Sequence, residues 1–241
     1  MPQQLLNPAK VTEVFAHLNE TPHNLAMYSE LVKGDDVTDN VKGVTLAPGY
    51  RVLRVDDRKK PEIKQEHFEL ALINDVTEEV VYYNRVIIQP DTFLNCRPVT
   101  QILVWRTQKP KHRAVLHNFA GIIFIEYLLE RYDIIISDRN QTHEGMSFWQ
   151  ARMYDALELG LHVYAYDMLT CELREMRSET DLGDGESWLW GDLDHYQNRL
   201  AIISKHPIPV VDDDNENDSS KVLGNWDLPT YRINTKDLIM R

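Results

Sequence analysis

The chain has 241 residues, 43% of them apolar, which is enough to bury a sizeable core without disulfide or metal staples. Its 38 acidic side chains against 26 basic ones leave a formal net charge of −12, which argues against a general grip on nucleic acid, where lysine and arginine must displace counterions. Cys96 and Cys171 stand far apart and form no C-x-x-C pair, so neither a disulfide framework nor a zinc knuckle is expected, and a reducing cytoplasm is the natural compartment.

The opening MPQQLLNPAKVTEVF lacks a basic segment followed by an apolar run, so no secretory signal is expected. Residues 8–33 predict two short helices, the second with Thr21 as cap, Pro22 in its first turn and Gly34 as its stop. A Gly/Asp-rich turn region follows to residue 49 and closes an N-terminal segment, 1–49. YRVLRVDD and HFELALIND then alternate apolar and polar residues, and VTEE leads into VVYYNRVII, so 66–88 reads as an antiparallel hairpin.

From 99 to 176 the units lengthen. VTQILVWR is a β-branched and aromatic strand, and RTQKPKHR sets Arg106, Lys109, Lys111, His112 and Arg113 against the overall charge, either as a solvated connection or as an anion-binding loop. RAVLHNFAGIIFIEYLLERY reads as a helix apolar on nearly all sides; its 119–129 core, interrupted by Glu126, is too short to span a bilayer. DIIISD is a buried strand, GMSFWQARMYDALELG an amphipathic helix ending at Gly160, and LHVYAYDM a further strand on which Tyr164 and Tyr166 share a packing face with His162. Such alternation implies an α/β core over 50–176, with a mixed, partly parallel sheet, the N-terminal hairpin, and helices on both faces. Residues 177–241 read as a C-terminal extension containing Trp188 and Trp190, an acidic loop at 212–220, and a tail whose Trp226 and Tyr231 dock it on the body.

Chemistry-bearing residues gather in SDRNQTHEG, at the carboxyl end of a strand, where open α/β sheets hold ligands. There His143 or Glu144 could act as a general base, while Thr142 as a helix cap and Glu144 as a favourable charge at the helix start explain the same residues structurally. Asp133, Asp138, Asp167 and Glu172 lie at strand ends where a metal-dependent nuclease would gather carboxylates, although no metal is expected from spacing alone. No Walker loop, dinucleotide fingerprint or Gly-x-Ser-x-Gly motif occurs.

The hairpin at 66–88, the strand–helix–strand–helix–strand run from 99 to 168, and THEGMSFW, with Thr142, Gly145, Phe148 and Trp149 at the spacing of Asn-x-x-Ala-x-x-Phe-Tyr, together resemble the GNAT family of N-acetyltransferases. That resemblance implies an acyl-CoA cofactor, acetyl-CoA or another, whose pyrophosphate sits on backbone amides at a helix start and whose thioester lies in a V-shaped opening between two strands. The cofactor-binding residues it implies are Val104, Arg106, Lys111, His112, Arg113, Ala114 and Trp149, with Glu144, His143 and Tyr154 as catalytic candidates. The loop PKHRAVLHN carries no glycine, and Trp149 stands where many members have an acidic tyrosine, which makes Tyr154 the stand-in. Acyl transfer to an unknown acceptor is the first expectation. The alternatives are a non-catalytic GNAT-like protein that recognises a basic protein partner, of phage or mobile-element style, and the metal-dependent nuclease.

Overall fold

A computed structural model describes residues 15–209 other than 60, 90–93, 95, 97–98, 138–142, 168 and 191–197, with the side chains of 89, 99–103, 134–137, 143–146, 148 and 190 also outside the description. The chain divides into two units, 1–210 and 211–241, so the acidic run 212–220, Trp226 and Tyr231 fall outside the described residues.

Among the described residues nine strands form one sheet: β1 (Asp35–Asp36), β2 (Tyr50–Asp56), β3 (His67–Asn74), β4 (Glu79–Gln89), β5 (Val99–Arg106), β6 (Asp133–Ser137), β7 (His162–Asp167), β8 (Glu172–Met176) and β9 (Arg199–Ser204). Their spatial order is β1-β2-β3-β4-β5-β6-β9-β7-β8. The first five are antiparallel, and the expected hairpin is β3–β4. Its turn is held by Asn74, whose Oδ1 accepts from the amides of Val76 and Thr77 at 2.9 and 3.0 Å.

Parallel pairing is narrower than the sequence pattern implies. Among the described residues it occurs only where β5 meets β6; β9 comes back from the far end of the chain and inserts between β6 and β7, antiparallel to both. Residues 177–209, read as an extension, thus supply a helix and an interior strand of the sheet.

Helices cover both faces. On one, α1 (Thr21–Leu31) buries Leu31 against Leu53, Ala71, Ile73, Tyr83 and Trp105. Asn24 ties it to β4: its side chain donates to the Val80 carbonyl at 3.0 Å and accepts from the Val80 amide at 2.8 Å. The N-cap position is Glu20 rather than the expected Thr21, and the Glu20 carboxylate pairs with His23 instead of capping. Gly34 follows the helix for a different reason than a left-handed stop: a Cβ there would run into the Arg54 carbonyl and the Val55 side chain, so the chain passes β2 with no room to spare.

The other face carries α2 (Phe119–Ile122, continuing as a π-helical stretch Ile123–Leu128), α3 (His143–Glu158) and α4 (Glu179–Trp190) over a core of Phe68, Leu70, Leu72, Tyr82, Phe119, Phe124, Trp149, Met153 and Ile203. The helix expected from Val115 to Arg131 starts later. Asn118 adopts φ 55°, a left-handed conformation that asparagine tolerates better than most residues, and the chain before it turns so that His112 and Leu116 both point inward. Gly160 does end α3 as its position implies: at φ 69° it donates to the Leu157 carbonyl at 2.9 Å, and Leu161 donates to that of Ala156 at 2.8 Å. Beyond the helices' reach, Tyr164 and Tyr166 pack with Leu200, Ile202 and Ile208.

Candidate functional site

Where β5 and β6 run side by side, two rungs join them among the described residues, Val99 to Asp133 and Thr100 to Ile134. Past that point β5 continues on β4 as far as Arg106 while β6 continues on β9 as far as Ser137, so the two strands part toward their carboxyl ends. An opening between parallel strands exposes backbone groups and the start of the following helix to a ligand.

On the helix face beside this parting lies a small, partly open cavity of about 10 Å³, lined by Tyr82, Asn84, Val104, Ala120, Phe124, Leu128 and Trp149. Two of the residues singled out in the sequence, Val104 and Trp149, meet here. Trp149 is 9% exposed and its ring stands 5.8 Å from that of Phe124. Asn84, opposite Val104 on β4, is 1% exposed; its Nδ2 donates to the Tyr82 hydroxyl at 3.3 Å, and its Oδ1 has no hydrogen-bond partner among the described residues. Burial pushes the Tyr82 phenol well above its ordinary pKa, and the Asn84 hydrogen bond only partly opposes this.

The basic loop is built differently from a free phosphate cradle. Glu79, the first residue of β4, takes ion pairs from Lys109 and from Lys111 at 2.5 Å, and His112 Nε2 lies 3.0 Å from the same carboxylate. A carboxylate only accepts, so Nε2 carries the proton toward Glu79, and Nδ1 meets the Tyr50 hydroxyl at 2.9 Å. Burial acts to raise the Glu79 pKa, but hydrogen bonds from Lys109, Lys111, Thr77 and His112 outweigh it and hold the carboxyl far below the ordinary range. His112, 1% exposed and engaged through both nitrogens, is a structural pin and not a ligand for phosphate. Lys111 keeps half its surface but spends its charge on Glu79, whereas Arg106, Arg113 and Ala114 are exposed and neither arginine has an ion-pair partner among the described residues. One carboxylate against two ammonium groups leaves the loop cationic.

Tyr154 does not share this cavity. Five residues past Trp149 it has rotated toward α4, and burial together with the charges of Glu186 and Glu179 raises its phenol pKa. His143 opens α3, and its side chain, like that of Glu144, lies outside the described residues, as does Asp138. Of the remaining carboxylates, Asp167 and Glu172 stand opposite each other where β7 pairs with β8, but Asp133 is far from both. Asp133 accepts from Ser204 Oγ at 2.5 Å at one end of β9, and Asp167 pairs with Arg199 at the other, five strand residues or roughly 16 Å away. No group of three or more His, Cys, Asp and Glu suited to a metal occurs among the described residues. Nor is any described helix long and apolar enough to cross a membrane.

A larger hollow of about 80 Å³ between β8 and α4 is lined by Glu172, Arg174, Asp181, Asp184 and Trp188. Trp188 there lies under the Arg199 guanidinium, 4.4 Å from its ring centre, and packs partly buried against the core.

Sequence reading passed over Glu79 and Asn84. Glu79 gave no signal, because its partners lie 30 residues and more along the chain. Asn84 did give one: Asn-Arg interrupts VVYYNRVII, an otherwise apolar run in a strand that ends up inside the sheet. Comparison with protein-family models, with curated proteins and with solved structures finds no match to this chain.

Proposed function

We propose that the chain is a GNAT-like acyltransferase that takes an acyl-CoA thioester into the opening between β5 and β6 and passes the acyl group to an acceptor. The parting of these strands after two rungs is the observation that carries this reading. Support also comes from the cationic loop at the start of the segment leading to α2, where Arg113 is exposed, and from Trp149 of α3 beside Val104 of β5. In such a transfer the acceptor's lone pair forms a bond to the thioester carbonyl carbon, the carbon–sulfur bond breaks, the acceptor gives up its proton to solvent or a neighbouring base, and the thiolate leaves and takes up a proton. Trp149 is no acid for that last step, so the leaving thiolate would take its proton from solvent or from another group.

Titration calorimetry of the whole chain with coenzyme A and acetyl-CoA tests the reading: saturable heat below millimolar ligand is expected, and none at millimolar ligand would overturn it. A second reading rests on the Glu79 ion pairs with Lys109 and Lys111, which consume charge that a pyrophosphate would need. It makes the body a non-catalytic scaffold whose acidic surface binds a basic protein, and it predicts no heat with either ligand.

A further inference from the structure

We infer that Asn84 selects the acyl group, favouring an acyl chain that carries a hydroxyl over its plain counterpart; this rests on the acyl-CoA reading above. Asn84 is 1% exposed, and among the described residues one end of its carboxamide meets Tyr82 while Oδ1 is left without a partner. A buried acceptor in that condition is destabilising until a donor reaches it. The adjoining cavity of about 10 Å³ has room for one group the size of a hydroxyl or methyl. Its other walls, Val104, Ala120, Phe124, Leu128 and Trp149, are apolar, so they suit the neighbouring carbon of a short acyl chain and leave Asn84 and Tyr82 as the polar contacts for the one group that enters. Val104 lies four residues past the last β5–β6 rung, so the cavity borders the part of β5 that lies along the opening proposed to take the thioester. Turning the carboxamide over exchanges which end meets Tyr82 and leaves the other facing the cavity; a hydroxyl, both donor and acceptor, satisfies either orientation. A plain chain would strand the amide, and sites that bury a polar group discriminate strongly against ligands that leave it unpaired.

The test is calorimetric titration of the whole chain with coenzyme A, butyryl-CoA and 3-hydroxybutyryl-CoA, repeated on Asn84→Ala. The expected result is 3-hydroxybutyryl-CoA binding roughly tenfold more tightly than butyryl-CoA, a ratio that falls to about one in Asn84→Ala while the affinity for coenzyme A stays unchanged. Equal affinity of the two acyl thioesters for the unaltered chain overturns the inference and spares the acyl-CoA reading; it is also the result expected if a trapped water serves Asn84. Absence of binding by all three overturns both. Should Asn84→Ala fail to fold, the ratio measured on the unaltered chain decides alone.

Discussion

Glu79 Oε2 and His112 Nε2 lie 3.0 Å apart and join residues 33 positions distant in the chain. Through this contact, and through Lys109 and Lys111 on the same carboxylate, the loop after β5 is fastened to the head of the β3–β4 hairpin. Because the folded-state pKa of Glu79 lies below its unfolded value, its contribution is present above the ordinary glutamate range and is lost as pH falls toward the folded value. Glu79→Gln is therefore expected to cost about 1–3 kcal/mol at pH 7 and to flatten part of the stability loss between pH 5 and pH 3. Urea unfolding of both proteins across that range checks it; parallel pH profiles would count against it.

On the opposite face, Glu69 is 0% exposed and bound by Arg58 at 2.5 and 2.9 Å, by the Tyr83 hydroxyl, and by Arg85 at 3.5 Å. Burial works to raise its pKa, yet Arg58 first, then Tyr83 and Arg85, keep it below the ordinary value. Removing the charge leaves the buried Arg85 and the partly buried Arg58 without their shared partner, Arg58 keeping Glu30, so Glu69→Gln is expected to lose about 3–5 kcal/mol, far more than a surface carboxylate would. Equilibrium denaturation that puts the loss below about 1 kcal/mol would contradict this account of the network.

Glycine-to-alanine changes ordinarily stiffen the unfolded chain and stabilise the folded one. Gly34 is an exception in this fold, since the added methyl meets the Arg54 carbonyl, a backbone atom of β2 that cannot swing aside. Gly34→Ala is expected to destabilise by about 1–3 kcal/mol, and a melting temperature equal to or above that of the parent would refute the close approach.

Arg113 tests the anion side of the loop without disturbing the Glu79 contacts. Its side chain is exposed, so Arg113→Glu should leave unfolding within about 0.5 kcal/mol of the parent. Coenzyme A affinity should fall about tenfold at low salt, and the difference should shrink as ionic strength rises. Unchanged affinity in calorimetry would remove Arg113 from the phosphate site.

Local chemistry was legible and distant contacts were not. Gly160 and the polar turn between β3 and β4 could be read because each depends on neighbours within a few residues, whereas β3, which alternates apolar and polar residues in sequence, is buried along its whole length. The stretch before Asn118 was misread as helix: its composition favours helix, but His112 and Leu116 gain more by turning inward than a regular helix would allow. For the site, Val104 and Trp149 were visible as residues, but that they meet around Asn84 is a consequence of packing three separate elements. His112 read as part of an anion-binding loop because nothing near it in sequence announces Glu79 or Tyr50.

The place of β9 has a consequence for biosynthesis. The ladder from β1 to β5 is complete in sequence by residue 106, so it can close while the remainder is still on the ribosome. Strands β6 and β7 cannot close in that order: each presents an unpaired edge until residues 199–204 emerge and slot between them. A nascent chain released before that point would carry two sticky edges with nothing between them. We expect truncation at residue 198 to yield protein that is cleaved by protease within 133–176 and aggregates, with the 50–106 ladder surviving longer; uniform resistance in limited proteolysis would show that the two halves do not mature separately.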